Sequence, residues 1–343
     1  MQTTKQRNVL LDILKGITII LVVLGHSIQF GSGSNYLQYS AFYKNELFKL
    51  IYSFHMPLFM LISGFLFYYT VNNHTWTENI KSRFTTLLLP IVLWTLIPFG
   101  SSVAKTDEYS AYALIKLYQY SLLGNLWFLW AVFYCSIVVI VVKRFFKDYI
   151  VLYLAGFLLT FFVTDIYGLS LYKFMYPFFI TGYLFNRESQ KRTIKMTKSV
   201  YLIGSGAAFF FLLLFYRVNS YIYTTGYYIL NKAPLQQFGI DLYRMTIGFC
   251  GSIFVILLVN ASYQKLPTAL NKCLVDLGKN SLGIYILSGY LFYIMPIITH
   301  HLTGIQYAFT IVEAGSILFL AYFGTVALKK VKLLNVLLLG GRK

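Results

Sequence analysis

The sequence predicts an all-α, polytopic integral membrane protein with about ten transmembrane helices and both termini on the cytoplasmic side. Three observations carry this reading. Of 343 residues, 58% are hydrophobic, 19% aromatic and only 12% charged, about half the charged share of a soluble domain. Apolar runs recur along the whole chain, most of them near the ~20 residues that a helix needs to cross a bilayer. Lysine and arginine alternate from loop to loop, with 20 of the 29 falling on one side of the resulting topology, as the positive-inside rule requires.

The runs, in order, are 9–30, 47–70, 84–103, 126–142, 149–164, 168–186, 199–216, 240–260, 281–299 and 305–328. The first is long enough to span and lacks a small-residue cleavage site, so it reads as a retained anchor. The fifth is the shortest. An even number of spans returns the chain to its starting side, and the basic segments follow. Lys5 and Arg7 precede the first span, and Lys81 and Arg83 the third; Lys143, Arg144 and Lys147 follow the fourth. The later inner segments hold residues from Arg187 to Lys198, then Lys265, Lys272 and Lys279, and a tail from Lys329 to Lys343. Eight basic residues fall on the outer side or at outer span ends: Lys44, Lys49, Lys105, Lys116, Lys173, Arg217, Lys232 and Arg244. The whole of 1–343 reads as a single membrane-embedded domain. The longest outer connections, 104–125 and 217–239, are too short for a soluble one. The second is rich in tyrosine and reads either as an interfacial belt or as a segment whose rings stack on an acceptor. No internal repeat suggests two related halves.

The composition also excludes. A net charge of +18 would suggest nucleic acid in a soluble protein, but here it is the charge of inner loops, and no nucleic-acid motif accompanies it. Cys135, Cys250 and Cys273 show neither metal-ligand spacing nor a paired framework, so they read as small apolar packing residues and no metal is expected.

The chemistry concentrates in Leu10–Phe30, LLDILKGITIILVVLGHSIQF. On a helix, Lys15 and His26 point within about 20° of each other and stand about 16 Å apart along the axis. Asp12, three residues before Lys15, shares that face. Ionisable groups inside a membrane are expensive and mark a functional path. In the second span, His55 falls in FHMPLFMLISGFLF at a depth similar to His26. Pro57 removes a backbone donor there and leaves the Ser53 carbonyl unpaired, while Ser63 and Gly64 permit close packing. A neutral imidazole accepts a proton from a hydroxyl and makes it nucleophilic. His26 is the first candidate for that role. His55 is the second, unless FHMP is simply a helix kink. His74, His300 and His301 lie in loops or at span ends. Lys81 and Arg83 at the mouth of the third span are either plain positive-inside residues or a cradle for phosphates arriving from the cytoplasm.

These residues resemble a known family. KGITIILVVLGH at Lys15–His26, preceded by LD, resembles the first-helix signature of the acyltransferase-3 family of integral membrane O-acyltransferases. Lys81-Ser82-Arg83 resembles the family's basic pair at its third helix. SFHMPLFMLISGFLF and NLWFLWAVF at Asn125–Phe133 are similar to a subgroup of fucose 4-O-acetylase-related acetyltransferases. LGKNSLGIYIL at Leu277–Leu287 resembles the late-helix motif. Two positions depart from the pattern: Lys15 stands where Arg is more usual, and Ser288 where many relatives carry His.

The resemblance implies transfer of an acyl group, most often acetyl from acetyl-CoA, to a hydroxyl of a cell-envelope or exported polysaccharide sugar, possibly lipid-linked. It further implies an enzyme embedded among the lipids of a bacterial plasma membrane. In that reading His26 is the general base, Lys81 and Arg83 hold the CoA phosphates, and Lys15 assists with the donor. Asp12 orients or neutralises Lys15, and His55 handles a proton or binds the acceptor. Trp127 either stacks on a sugar or the acyl carrier, or anchors the interface. The rival expectation is a transporter or flippase for a lipid-linked glycan. A glycan polymerase would need a large outer loop, which is absent.

Overall fold

A computed structural model describes residues 8–31, 43, 45–105, 110–164, 169–190, 199–217, 228–229, 234–299 and 306–341. Among these there is no strand, so the all-α expectation holds. The helices, in order, are α1 (Val9–Gly31), α2 (Glu46–Asn72), α3 (Trp76–Arg83), a π-helical turn (Phe84–Leu88) and α4 (Leu89–Val103). Then come α5 (Ala111–Gly124), α6 (Trp127–Phe145), α7 (Ile150–Leu159), α8 (Leu169–Ser189) and α9 (Ser199–Leu213). The last four are α10 (Pro234–Ser262), α11 (Thr268–Thr299), α12 (Gln306–Lys330) and α13 (Lys332–Leu339).

Among the described residues, six stretches are long and apolar enough to cross a membrane: Val9–Gln29, Glu46–Asn72, Trp76–Val103, Trp127–Phe145, Leu235–Lys265 and Thr310–Lys330. They coincide with six of the ten expected spans, and the chain is a polytopic membrane protein. The runs 149–164 and 199–216 form shorter apolar helices. The runs 168–186 and 281–299 lie in α8 and in the second half of α11. Polar residues interrupt α8 at Lys173, Arg187 and Glu188, and α11 opens with a polar stretch from Asn271 to Asn280. The expected connection 104–125 contains α5. The tyrosine-rich connection lies largely outside the described residues. So do Lys5, Arg7, Lys44, Lys191, Arg192, Lys195, Lys198, Lys232, His300, His301, Arg342 and Lys343.

The chain divides into two compact units. The first comprises residues 1–62, 194–219 and 246–326, and the second 63–193, 220–245 and 327–343; α2, α10 and α12 are shared between them. In the first unit α1 lies along α11. A methyl group on Gly16 would run into the Leu274 carbonyl, and one on Gly278 into the Asp12 carbonyl. Small residues let membrane helices approach this closely, so the glycine of the late-helix motif fixes the backbone at Asp12. Gly278→Val should force these helices apart and cost about 1–3 kcal/mol, as overpacking does, read as a lower thermal midpoint in detergent. Elsewhere in this unit Gly251 packs against Phe54 and Phe209. Ser252 offers its hydroxyl to the Phe54 carbonyl at 3.5 Å, within the turn that Pro57 interrupts.

The second unit is built around α6 and α8. Thr75 and Glu78 form a capping box that starts α3. The π-turn follows α3 at once, and such turns recur at functional sites. Gly340 ends α13 at φ 62° and presses on the Thr86 carbonyl of the π-turn, a place that only glycine fits. Trp94 Nε1 donates to the Leu338 carbonyl at 2.8 Å, so α13 is tied to α4 as well. Gly64 lies against the Phe179 carbonyl of α8, and Asn186 donates to the Phe65 carbonyl at 2.7 Å. Between α6 and α7, Asp148 sits at φ 61° and accepts from Tyr153 and Tyr183, while Arg187 donates to its backbone carbonyl. Lys143 Nζ bonds Asn72 Oδ1.

Candidate active site

In the first unit α1 runs unbroken from Val9 to Gly31, so the polar stripe keeps its helical spacing. Asp12 is buried, and Lys15 Nζ lies 2.8 Å from its Oδ1. This (i, i+3) pair sits where α1 meets Gly278 of α11. At the same end a cavity of about 300 Å³ opens between Val9 and the first turns of α11. Gln264, Asn271, Lys272 and Lys279 line it, and Asp276 stands 3.3 Å from the Lys279 ammonium.

His26 lies near the other end of α1, within a cage of rings: Phe292 at 5.6 Å and Tyr52 at 6.4 Å between centroids. Tyr52 is also 4.7 Å from the ring of His55, and its hydroxyl donates to Gln29 Oε1 at 3.0 Å. The two histidines are near enough to interact electrostatically, so α1 and α2 bring them into one cluster with Tyr52 between them. Their local settings match. The His55 Nδ1 lies 2.8 Å from the Ile51 carbonyl, and the His26 ring bonds the Val22 carbonyl; both partners are four residues earlier. A carbonyl only accepts, so the bonded nitrogen carries the proton and the other nitrogen of each neutral ring holds the lone pair. Each imidazole is thus set in the tautomer of a base. His55 is buried, whereas His26 is partly open.

In the second unit Lys81 is exposed, whereas the Arg83 guanidinium lies over the Phe67 ring at 5.1 Å. Two residues apart on one helix, they point to different sides. Both stand in the last turn of α3, directly before the π-turn. Trp127 opens α6 after Leu126, which sits in the left-handed region at φ 49°, and meets Phe128 edge-on at 6.1 Å. The neighbouring Trp130 is fixed by its indole N–H to the Leu122 carbonyl at 2.9 Å and stacks on Tyr134.

Among the described residues of the second unit, three buried charges escape a reading of loops and runs. Arg244 and Asp241 are each 1% exposed and 3.2 Å apart, with the guanidinium 4.7 Å above the Phe174 ring. Lys173 is buried with Nζ on the Val163 carbonyl at 2.7 Å. Arg244 and Lys173, assigned by charge to the outer side or its span ends, are therefore side chains of the protein interior. The signal for the pair was present, since Asp241 and Arg244 stand at helical (i, i+3) spacing within an apolar run.

A family model described as an acyltransferase domain matches residues 8–330. The chain is 29% identical over 306 residues to a protein named nodulation protein NolL from Mesorhizobium japonicum, covering 86% of this chain and 79% of that one. It is 28% identical over 302 residues to the nodulation protein NolL of Sinorhizobium fredii, covering 85% and 80%. No solved structure matches.

Proposed function

The chain belongs to the acyltransferase-3 family and is a membrane O-acyltransferase, and from that premise we propose that it moves an acetyl group from acetyl-CoA to a hydroxyl of a cell-envelope or exported polysaccharide sugar. The observation that carries this reading is the His26 ring, bonded to the Val22 carbonyl and set between Phe292 and Tyr52 on an intramembrane helix, which leaves its second nitrogen to accept a proton. His26 takes the proton of the acceptor hydroxyl as its oxygen attacks the thioester carbonyl. The C–S bond then breaks, the acyl group passes to the sugar oxygen, and the imidazolium returns its proton to the CoA thiolate. Rings such as Tyr52 and Phe292 suit a sugar face.

The donor side draws on cations. Arg83 offers a fork and Lys81 a point charge to the CoA phosphates, and the π-turn after Arg83 gives that end of α3 a geometry of its own. Lys15, tied to Asp12 at the end of α1 that carries the polar cavity, assists with the donor. His55 shares the proton traffic of the His26 cluster, and Trp127 stacks on the acceptor or carrier. The inner ends of the spans face the cytoplasm of a bacterial plasma membrane, where acetyl-CoA is made.

Purified protein in detergent tests this directly. It should consume acetyl-CoA and label a sugar acceptor; failure to consume it with any glycan acceptor would contradict the reading. Arg83→Ala should raise the apparent KM for acetyl-CoA about tenfold, equivalent to ~1.4 kcal/mol, with little change in thermal midpoint. An unchanged KM would remove Arg83 from the donor site.

A further inference from the structure

One buried acid near His26 has no place in the roles above. Glu313 lies in α12, amid the apolar run that continues through Ala314 and Ile317, and is only 3% exposed. Its carboxyl faces the hydroxyl of Ser27, the residue after His26. That contact is loose: Ser27 Oγ and Glu313 Oε2 are both buried, and neither makes a hydrogen bond of good geometry. Buried polar atoms are almost always bonded, and an exception calls for a ligand, a water or a catalytic role. A carboxyl inside a membrane helix raises the same question with more force.

Geometry separates two roles for it. Consecutive residues of a helix do not face the same way, so Glu313 meets α1 at the level of His26 but on its flank. That is the wrong place for an acid that orients the imidazole, whose own N–H is already spent on the Val22 carbonyl. It is the right place for a group that holds a second part of whatever His26 deprotonates. Carboxyl and hydroxyl together offer acceptors and a donor to one more polar atom.

We propose that Glu313, with Ser27, anchors a second hydroxyl of the acceptor sugar, neighbouring the one that His26 activates, and so selects the position that is acylated. This rests on the acyl-transfer reading. The substrate class it implies is a sugar with adjacent free hydroxyls, one reactive and one recognised. A site built to bond a hydroxyl rejects an analogue that lacks it far more strongly than a site that merely has room for it.

The test uses purified full-length enzyme in detergent with acetyl-CoA, methyl fucoside and the monodeoxy analogues of that glycoside. Wild type should lose most of its kcat/KM on one analogue that still keeps the acylated hydroxyl. Glu313→Ala should raise the KM for methyl fucoside at least tenfold, leave the KM for acetyl-CoA unchanged, and treat that analogue and the parent alike. Glu313→Gln, which keeps volume and an acceptor oxygen, serves if the alanine variant does not fold, and should lose part of the same discrimination. Ser27→Ala should shift it in the same direction. If Glu313→Ala or Glu313→Gln discriminates as wild type does, or loses rate equally on every glycoside, the carboxyl is structural or holds only a water, and the proposal is overturned. If wild type acylates neither the fucoside nor any other glycoside or glycan acceptor, the sugar-acceptor reading fails first and takes the proposal with it; if it acylates another glycoside, the same comparison is made with the monodeoxy analogues of that one.

Discussion

His26→Ala abolishes acyl transfer while the protein still reaches the membrane: that is the expected result with the largest effect on activity. Removing a general base costs about 10²–10⁴-fold in rate, and alanine leaves nothing on α1 to replace it. His55 does not substitute, because it is buried on α2 beside Tyr52, whereas His26 is the partly open ring. The variant also loses contacts with Phe292 and Tyr52, so the control is His26→Gln, which fills more of the cage. Initial rates of acetyl transfer, normalised to protein in the membrane fraction, measure the effect. Rates within a few-fold of wild type in both variants would take His26 out of the chemistry.

The largest effect on stability is expected at Asp241. Asp241→Ala leaves the Arg244 guanidinium in the interior, 1% exposed, with the Phe174 ring beneath it. Breaking a buried ion pair from one side costs about 3–5 kcal/mol, because the remaining charge loses its compensation. Gln237, whose amide reaches Asp241 at 3.4 Å, loses its acceptor as well. Thermal unfolding of the purified protein should show a marked drop in midpoint, and replacing both residues with apolar ones should recover much of it. A single variant as stable as wild type would mean that Arg244 finds water or another carboxylate.

How much of this was legible differs from residue to residue. Asp12, Lys15 and His26 stood out because ionisable groups interrupt an apolar run, and helical spacing alone put them on one stripe. The unbroken α1 preserves that spacing. His55 was visible as a residue, but its nearness to His26 was only an expectation from span depth; Tyr52 and Gln29, which tie α1 to α2, gave no signal. Lys81 and Arg83 were read together because they are close in sequence, yet the helix turns them apart, and the π-turn that follows has no clear mark in FTTLL. The left-handed conformations at Leu126, Lys147 and Asp148 were equally hidden, since none is a glycine. Glu313 had a signal that hydropathy averaged away: a single carboxylate in a long apolar run is the same kind of anomaly as Asp12. Sequence periodicity finds what one helix carries along its own face. It does not find what a second helix brings to it.

The most direct test of the central claim is acetate released by mild alkali from surface polysaccharide, compared among wild type, a deletion strain and a strain carrying His26→Ala. Ester-linked acetate should vanish in both mutants while the amount of polysaccharide holds. Unchanged acetate together with loss of surface polysaccharide would contradict it, and would assign the chain to moving the glycan instead of modifying it.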